Sequence, residues 1–539
     1  MMVASEGVRP VGSPPRVLAL VPAGFLAVFV VWPLVAVLAR SLRGVGLERM
    51  GEVLARSSVR TVIGFTVGQA LLSTVLTLAL GLPVAQVLAR YRFPGARLLR
   101  ALVVVPFVLP TVVVAAAFAT LFDRFAPHWR ESLVPVLAAH VFFNLAVVVR
   151  VVGGFWGSTD RRLEEAARVL GAGRWQAFRS VTLPQLAPVL AGSAVLVFLF
   201  SFTSFGVIQI LGGPRRATVE TEIYRYAVRR AELDVAAVLA ALQLVVVLGL
   251  ATASARFQRR ISQAQRGRRR PRASALSGWP ARLQLAATLA VVAVLIVVPV
   301  AVLVEGSLAV GQGYGIDNYR RLFSSSDLLP ISAMGALVNS LQFAAVAAAV
   351  ASAVGLAAAV AVTGRSRLSR WLEVLTLVPL GVSAVTLGFG YLVAFAAFDL
   401  RRSVWLVPLS HSVIGLPFVL ASVVPALRSI DPRLREAAAT LGADSRAVRV
   451  QVDWPLIRGA AVTGAGFAAA ISLGEFGATS FLSRGDDSFT APMAVARLVS
   501  QPGRSLRGQA LALSVVIGVV VAAVALVIEW RRPEGMTLL

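Results

Sequence analysis

Long uncharged stretches recur along the chain and restrict it to an α-helical membrane fold. The first runs from Val17 to Ala39 without a charged residue, and a helix needs about 20 apolar residues to cross a bilayer. Backbone groups in lipid must be satisfied within their own segment, so such stretches predict spanning helices. We expect twelve, six in each half of the chain. They lie near residues 17–39, 61–89, 98–122, 134–157, 185–211, 233–255, 281–304, 337–362, 372–398, 403–428, 458–483 and 508–529.

The composition excludes several kinds of site. The chain has no cysteine and three histidines, so thiolate metal centres are impossible and histidine-based sites are poorly supplied. We therefore expect no metal, no cofactor and no catalytic site. All 52 basic residues are arginines, and a standard Walker A loop needs a lysine to reach the nucleotide phosphates. If ATP drives this protein, another subunit must hydrolyse it.

A polar segment occurs twice in this otherwise apolar chain. The first loop, residues 160–184, reads DRRLEEAARVLGAGRWQAFRSVTLP, and the second loop, residues 431–455, reads DPRLREAAATLGADSRAVRVQVDWP. The two copies are 271 residues apart. Both contain Glu-Ala-Ala, a glycine four residues later and a proline at the end. Two copies in register argue against simple solvated linkers.

The same register extends beyond the loops and divides the chain. It holds without a gap from His140 to Gly206. The sequence therefore predicts two parallel six-helix repeats with related folds. The expected boundaries are 1–255 for the first repeat, 256–280 for a basic linker and 281–539 for the second repeat.

Arginine-rich segments indicate which side of the membrane the loops face. Four arginines lie between the second and third predicted spans, and eight lie between Arg256 and Arg272. Even numbers of spans separate these segments from both loops, so the positive-inside rule places them all, with both termini, in the cytoplasm. One segment is contrary to this orientation: residues 212–234, on the predicted outer side, contain five arginines. Four acidic residues in the same segment nearly cancel their charge. Because the arginines lie between apolar runs, nucleic acid is not an expected partner.

Local signals predict a helix with defined ends at the start of each loop. Asp160 and Asp431 suit the N-cap position, and the alanine-rich middle favours helix. Gly171 and Gly442 lie where a helix would end in a left-handed residue. A second short helical piece should follow, and Pro184 and Pro455 should begin the return into the membrane.

These loops resemble the EAA loops of permease subunits in binding-protein-dependent ABC importers. The chain differs in having Trp454 in place of the usual leucine, and Val181 and Val452 in place of isoleucine. The resemblance implies a type I importer fold with about 12 transmembrane helices in the inner membrane. It implies docking of two copies of an ATP-binding subunit on the loops, and an extracytoplasmic substrate-binding protein on the other side. The implied docking residues are Glu165, Ala166, Ala167, Gly171, Glu436, Ala437, Ala438 and Gly442.

The segments that follow each loop resemble a smaller group of permeases within this family. FSFTSFGVIQILGG followed by TVETEIYRYA, and ISLGEFGATSFL followed by APMAVARL, are similar to the fused permeases of thiamine and ferric-iron importers. The first pair favours thiamine. The substrate is thus expected to be a small solute, thiamine or ferric iron.

Glu475 is the clearest ionisable residue inside a predicted span, and Ser204 occupies the equivalent position in the first repeat. A carboxylate there must face protein or water. With the adjacent Phe205 and Phe476, the pair could line a translocation path. The alternative is a structural hydrogen bond, and structural roles are also expected for His140 and His411.

Two other classes remain open at this point. A secondary transporter can also use a parallel repeat of six spans, but it would more often carry charged residues within its spans. An integral-membrane enzyme would need a cluster of histidines or acids near one face. Co-purification with a separate ATPase would distinguish both from an ABC permease.

Overall fold

The structure is a computed structural model that describes residues 16–213, 215–265, 274–364, 367–398, 403–483 and 485–530. The predicted all-α membrane fold is confirmed: within these ranges the strands form only two pairs of two residues each. The strands are β1 (Tyr91–Arg92), which pairs with β2 (Ser274–Ala275), and β3 (Ala309–Val310), which pairs with β4 (Gly313–Tyr314).

The helices of the first half include both spans and short connecting elements. They are α1 (Leu18–Val45), α2 (Gly46–Ala55), α3 (Ser57–Arg90), α4 (Ala96–Val108), α5 (Thr111–Phe125), α6 (Val134–Trp156), α7 (Arg161–Val169), α8 (Arg174–Phe202), α9 (Gly206–Leu211), α10 (Val219–Tyr224) and α11 (Leu233–Gln265).

The second half follows a similar order. Its helices are α12 (Trp279–Leu308), α13 (Asp317–Arg320), α14 (Ala333–Val362), α15 (Arg367–Leu377), α16 (Ala384–Ala394), α17 (Leu406–Ser429), α18 (Pro432–Thr440), α19 (Ser445–Gly474), α20 (Thr479–Leu482), α21 (Ala491–Val499) and α22 (Arg504–Trp530).

Ten helices of the described residues are long and apolar enough to cross a membrane, or eleven if a bent pair counts as one span. The twelve predicted spans differ from this at two places. The stretch 98–122 is α4 and α5, which meet at 105°. The stretch 372–398 is split between α15, a 3-10 turn over Val378–Gly381 and α16, and α15 and α16 have 11 residues each.

Prolines explain both breaks. Pro110 separates α4 from α5, and Leu109 before it has extended backbone angles, as expected for a residue that precedes proline. Pro379 lies within the 3-10 turn before α16, where its missing N–H disrupts the helical ladder. A span is predicted from the mean hydropathy of a stretch of sequence, and this mean is the same whether the helix is straight or bent.

The described chain forms two compact units that are discontinuous in sequence. One comprises residues 1–36, 338–488 and 520–539, and the other comprises 37–337 and 489–519. The first loop and its helix α7 belong to the second of these units, whereas the second loop and α18 belong to the first. Each unit therefore contains one loop with the spans that enter and leave it.

Glycines allow close helix packing in each unit. A Cβ at Gly81 of α3 would lie 2.8 Å from Val148 Cγ1 of α6, and one at Gly355 of α14 would lie 2.6 Å from Val419 Cγ1 of α17. Val148 and Val419 are equivalent in the repeat. Small residues at such crossings let membrane helices approach without a hydrophobic driving force.

We expect Gly81→Ala to lower the stability of the full chain in detergent by about 1–3 kcal/mol, because the added methyl group overpacks against a stiff valine. Thermal unfolding of the two proteins measures the difference. Gly68→Ala in the same helix is the control, since nothing lies within 4 Å of a Cβ there. An equal effect of both substitutions would contradict the packing argument.

Candidate docking loops and buried histidine clusters

The helix at the start of the first loop, α7, has firm hydrogen-bonded ends. Asp160 Oδ1 accepts from the backbone N–H of Arg162 at 2.9 Å, which confirms the predicted N-cap. At the other end Gly171 has φ +93°. The N–H of Ala172 donates to the carbonyl of Ala167 at 3.0 Å, which with the left-handed glycine forms a Schellman C-cap.

The second loop repeats this geometry with different flanking residues. Asp431 Oδ1 accepts from the N–H of Arg433 at 3.0 Å and caps α18. Gly442 has φ +88°, and the N–H of Ala443 donates to the carbonyl of Ala438 at 3.0 Å. Both helices are therefore held in the same shape by local signals that the sequence had already indicated.

The two loop helices expose the same set of side chains. Leu170 and Leu441, at equivalent positions just before the glycines, are each 88% exposed. Glu165, Glu436, Ala166 and Ala437 are also exposed, and the following alanines, Ala167 and Ala438, are half-buried. Each loop helix therefore presents small and apolar side chains around one exposed carboxylate.

The helices predicted to return into the membrane have α-helical segments that begin close to the predicted prolines. In α8 and α19 a short α-helical piece, Arg174–Ala177 or Ser445–Ala447, comes first, and Pro184 and Pro455 lie in the first turns of the longer segments Leu183–Phe202 and Trp454–Gly474. In each helix a one-turn π segment, Phe178–Thr182 or Val448–Asp453, immediately precedes the turn that contains the proline. Proline lacks an N–H, and a π-bulge is one way to accommodate such an interruption within a helix.

In the first half, the structure joins His140 to Ser204, the predicted path residue. The Nε2 atom of His140 lies 2.9 Å from Ser204 Oγ, and its Nδ1 atom lies 2.9 Å from Ser73 Oγ. The amide of Asn144 donates to the carbonyl of His140 at 2.9 Å. This buried cluster links α3 and α6 to the segment between α8 and α9.

The second half has a similar cluster around His411. Its Nε2 atom lies 2.8 Å from Thr479 Oγ1 and 3.2 Å from Glu475 Oε2, and its Nδ1 atom lies 2.7 Å from Ser472 Oγ. Glu475 directly follows the last residue of α19 and accepts from the N–H groups of Ala478 and Thr479 at 2.9 and 3.0 Å. Its carboxylate thus satisfies the first donors of α20.

The histidine partners were not predicted, although the sequence carried a signal. His140 precedes Ser204, and His411 precedes Glu475, by the same 64 residues. Phe205 and Phe476 beside these partners are buried as well. The contacts agree with the structural hydrogen-bond alternative for Ser204 and Glu475, and a role in the translocation path stays a prediction.

Comparison with known proteins agrees with the resemblance of the loops. The family described as "Binding-protein-dependent transport system inner membrane component" matches residues 77–267. The sulfate transport system permease protein CysT of Escherichia coli is 31% identical over 253 residues, which are 44% of this chain and 91% of that protein.

Some relatives match most of the chain, and two of them illustrate this. The "Probable ABC transporter permease protein y4fN" of Sinorhizobium fredii is 28% identical over 84% of this chain and 85% of its own length. The thiamine transport system permease protein ThiP of Brucella abortus is 26% identical over 86% of each chain. This protein therefore belongs to the inner-membrane permease components of binding-protein-dependent ABC importers.

Proposed function

We propose that this chain supplies both docking loops of an ATP-driven importer, each of which receives one copy of a separate ATP-binding subunit. The observation that carries the proposal is the common surface of α7 and α18: two capped helices of the same shape with an equally exposed leucine, glutamate and alanine. Because the chain has no lysine, the ATP must be bound by Walker A loops on those subunits.

The proposed orientation places both loops and both termini in the cytoplasm. The positive-inside distribution of arginines supports this arrangement. Part of the basic linker, 266–273, and Arg531 and Arg532 lie outside the described residues. A substrate-binding protein would then dock on the opposite face, in keeping with the family's name. We retain 1–255 and 281–539 as the two duplicated permease repeats, joined by the linker 256–280.

Transport would follow from movement of the loops. When ATP closes the two ATP-binding subunits, α7 and α18 would be drawn together, and the spans attached to them would alternate between outward and inward access. The chain itself would contribute no catalytic residue. In this scheme the candidates for the solute path are Ser204, Phe205, Glu475 and Phe476. The hydrogen bonds of Ser204 and Glu475 favour a structural role for these two residues.

Thiamine is the first candidate substrate, and ferric iron is the second. The similarity to a thiamine permease extends over both halves of the chain, which supports thiamine. The similarity to a sulfate permease covers less than half of the chain but has higher identity. Any substrate assay should therefore also measure the uptake of sulfate.

Purification of the chain together with candidate ATP-binding subunits and binding proteins from the same organism tests the proposal. We expect native mass spectrometry to show two ATP-binding subunits for each chain. In proteoliposomes, uptake of labelled thiamine should require both ATP and the loaded binding protein. Ferric iron and sulfate are the matched alternative solutes.

A secondary transporter is the alternative function, because parallel six-span repeats also occur in that class. Solute uptake by the purified chain alone, driven by an ion gradient, would support it. Failure of an ATP-binding subunit to associate with the chain would contradict the importer.

A further inference from the structure

Within each loop, one ionisable residue of the loop helix is bonded to the helix that returns into the membrane. In the first loop Glu164 Oε2 accepts from Thr182 Oγ1 at 3.2 Å. In the second loop Arg435 Nε donates to Asp453 Oδ1 at 2.8 Å. Glu164 and Arg435 are equivalent in the repeat, and so are Thr182 and Asp453.

The two contacts join the same positions through opposite chemistry. An acid accepts from a hydroxyl in the first loop, whereas a base donates to an acid in the second. The residues differ between the two loops, yet the side-chain contact occurs at equivalent positions in both. The shared feature is the side-chain connection between the loop helix and α8 or α19.

The first loop has an additional connection to another span. Arg90, the last residue of α3, donates through Nη2 to Glu164 Oε2 at 2.5 Å, and both side chains are partly buried. The Arg90 guanidinium also lies 5.4 Å from the ring centroid of Trp156, the last residue of α6. When Gly81 is aligned with Gly355, which makes the equivalent contacts, the position of Arg90 corresponds to Gly364 in the second repeat.

We propose that Glu164 with Thr182 and Arg90, and Arg435 with Asp453, are positioning residues that transmit the movement of the docked loop helices to the spans. This inference rests on the proposed docking of ATP-binding subunits. The side chains lie beside the exposed docking glutamates but point into contacts within the permease. Their loss should therefore weaken the coupling of ATP hydrolysis to transport while docking persists.

A charge swap in the second loop tests the proposal in the reconstituted complex. Arg435→Glu and Asp453→Arg, each alone, should leave the affinity for the ATP-binding subunit within about twofold of wild type and lower the solute transported per ATP by about tenfold. The double variant with both substitutions re-forms the pair with reversed polarity. It should restore most of the transport per ATP.

The first loop provides an independent variant. Arg90→Ala removes a charged side chain that the second repeat lacks at the equivalent Gly364, so a folding failure is not expected. It should lower transport per ATP without changing the affinity for the ATP-binding subunit. Arg162→Ala, on the exposed surface of α7, is the matched control for the removal of an arginine.

The possible outcomes distinguish a failure of the positioning role from a failure of the proposed function. Normal transport per ATP in both Arg435→Glu and Arg90→Ala, or a swap that fails to restore a single-variant loss, would overturn the positioning role. Loss of docking in the single variants would also overturn it, because the residues would then belong to the docking surface. If the wild-type chain binds no ATP-binding subunit, the proposed function itself fails.

Discussion

Charge reversal at both Glu165 and Glu436 is expected to lower ATP-driven uptake by at least about 100-fold, which corresponds to about 3 kcal/mol of lost docking energy. Both glutamates are exposed at equivalent positions of α7 and α18, where each offers a carboxylate to a basic group of a partner. An arginine in that position would place like charges together, and such juxtapositions cost several kcal/mol at an interface. Uptake by proteoliposomes measures the effect.

The reversal should act on docking and leave membrane insertion intact. The amount of Glu165→Arg/Glu436→Arg protein in the membrane fraction should match that of wild type. Arg174→Glu is the control, because Arg174 is exposed in the first loop and its equivalent in the second is Ser445, so this charge is not part of the common surface. Undiminished uptake by the double variant would contradict the assignment of the loops.

Replacement of Glu475 by alanine is expected to destabilise the chain by about 3–5 kcal/mol, because a buried group left without its hydrogen-bond partner costs about 1–3 kcal/mol and several groups lose theirs here. The substitution leaves His411 and the N–H groups of Ala478 and Thr479 without their carboxylate acceptor. Thermal or denaturant unfolding in detergent provides the measurement. The loss should be accompanied by lower yield of folded protein.

The repeat supplies a matched comparison for this effect. Ser204→Ala removes the equivalent side chain of the first half, which lies within hydrogen-bond distance of His140. A single neutral hydrogen bond contributes about 1 kcal/mol, so the loss of stability should be several-fold smaller. If the two variants unfold alike but Glu475→Ala alone abolishes uptake, the structural role is contradicted and the translocation-path alternative gains support.

The ends of the loop helices were predictable because they depend on nearest neighbours in sequence. An aspartate before a polar helix and a glycine after it specify caps through bonds spanning only a few residues, and Asp160 and Gly171 adopt these geometries. The span count was less accurate, since the hydropathy of 98–122 and 372–398 is that of a span whether or not the helix is straight. Pro110 was visible in the sequence, but the 105° angle between α4 and α5 depends on packing.

The contacts around the loops were harder to predict for a different reason. A search for repeated residues finds Glu165 and Glu436, which are identical, but passes over Glu164 and Arg435, which have opposite charges. Their common role is visible only when Thr182 and Asp453 are seen beside them. Similarly, the histidine clusters combine residues that lie far apart in sequence. Only the constant spacing between His140 and Ser204 and between His411 and Glu475 pointed to them.

The division of the chain into discontinuous units bears on its biogenesis. The first 36 residues belong with 338–488, and residues 37–337 belong with 489–519. During synthesis the first part of α1, up to residue 36, therefore enters the lipid long before the rest of its unit has been translated, and the other unit is completed only near the end of translation. Neither half of the duplicated gene encodes an independently finished body, so a truncated product should be a substrate for membrane quality-control proteases.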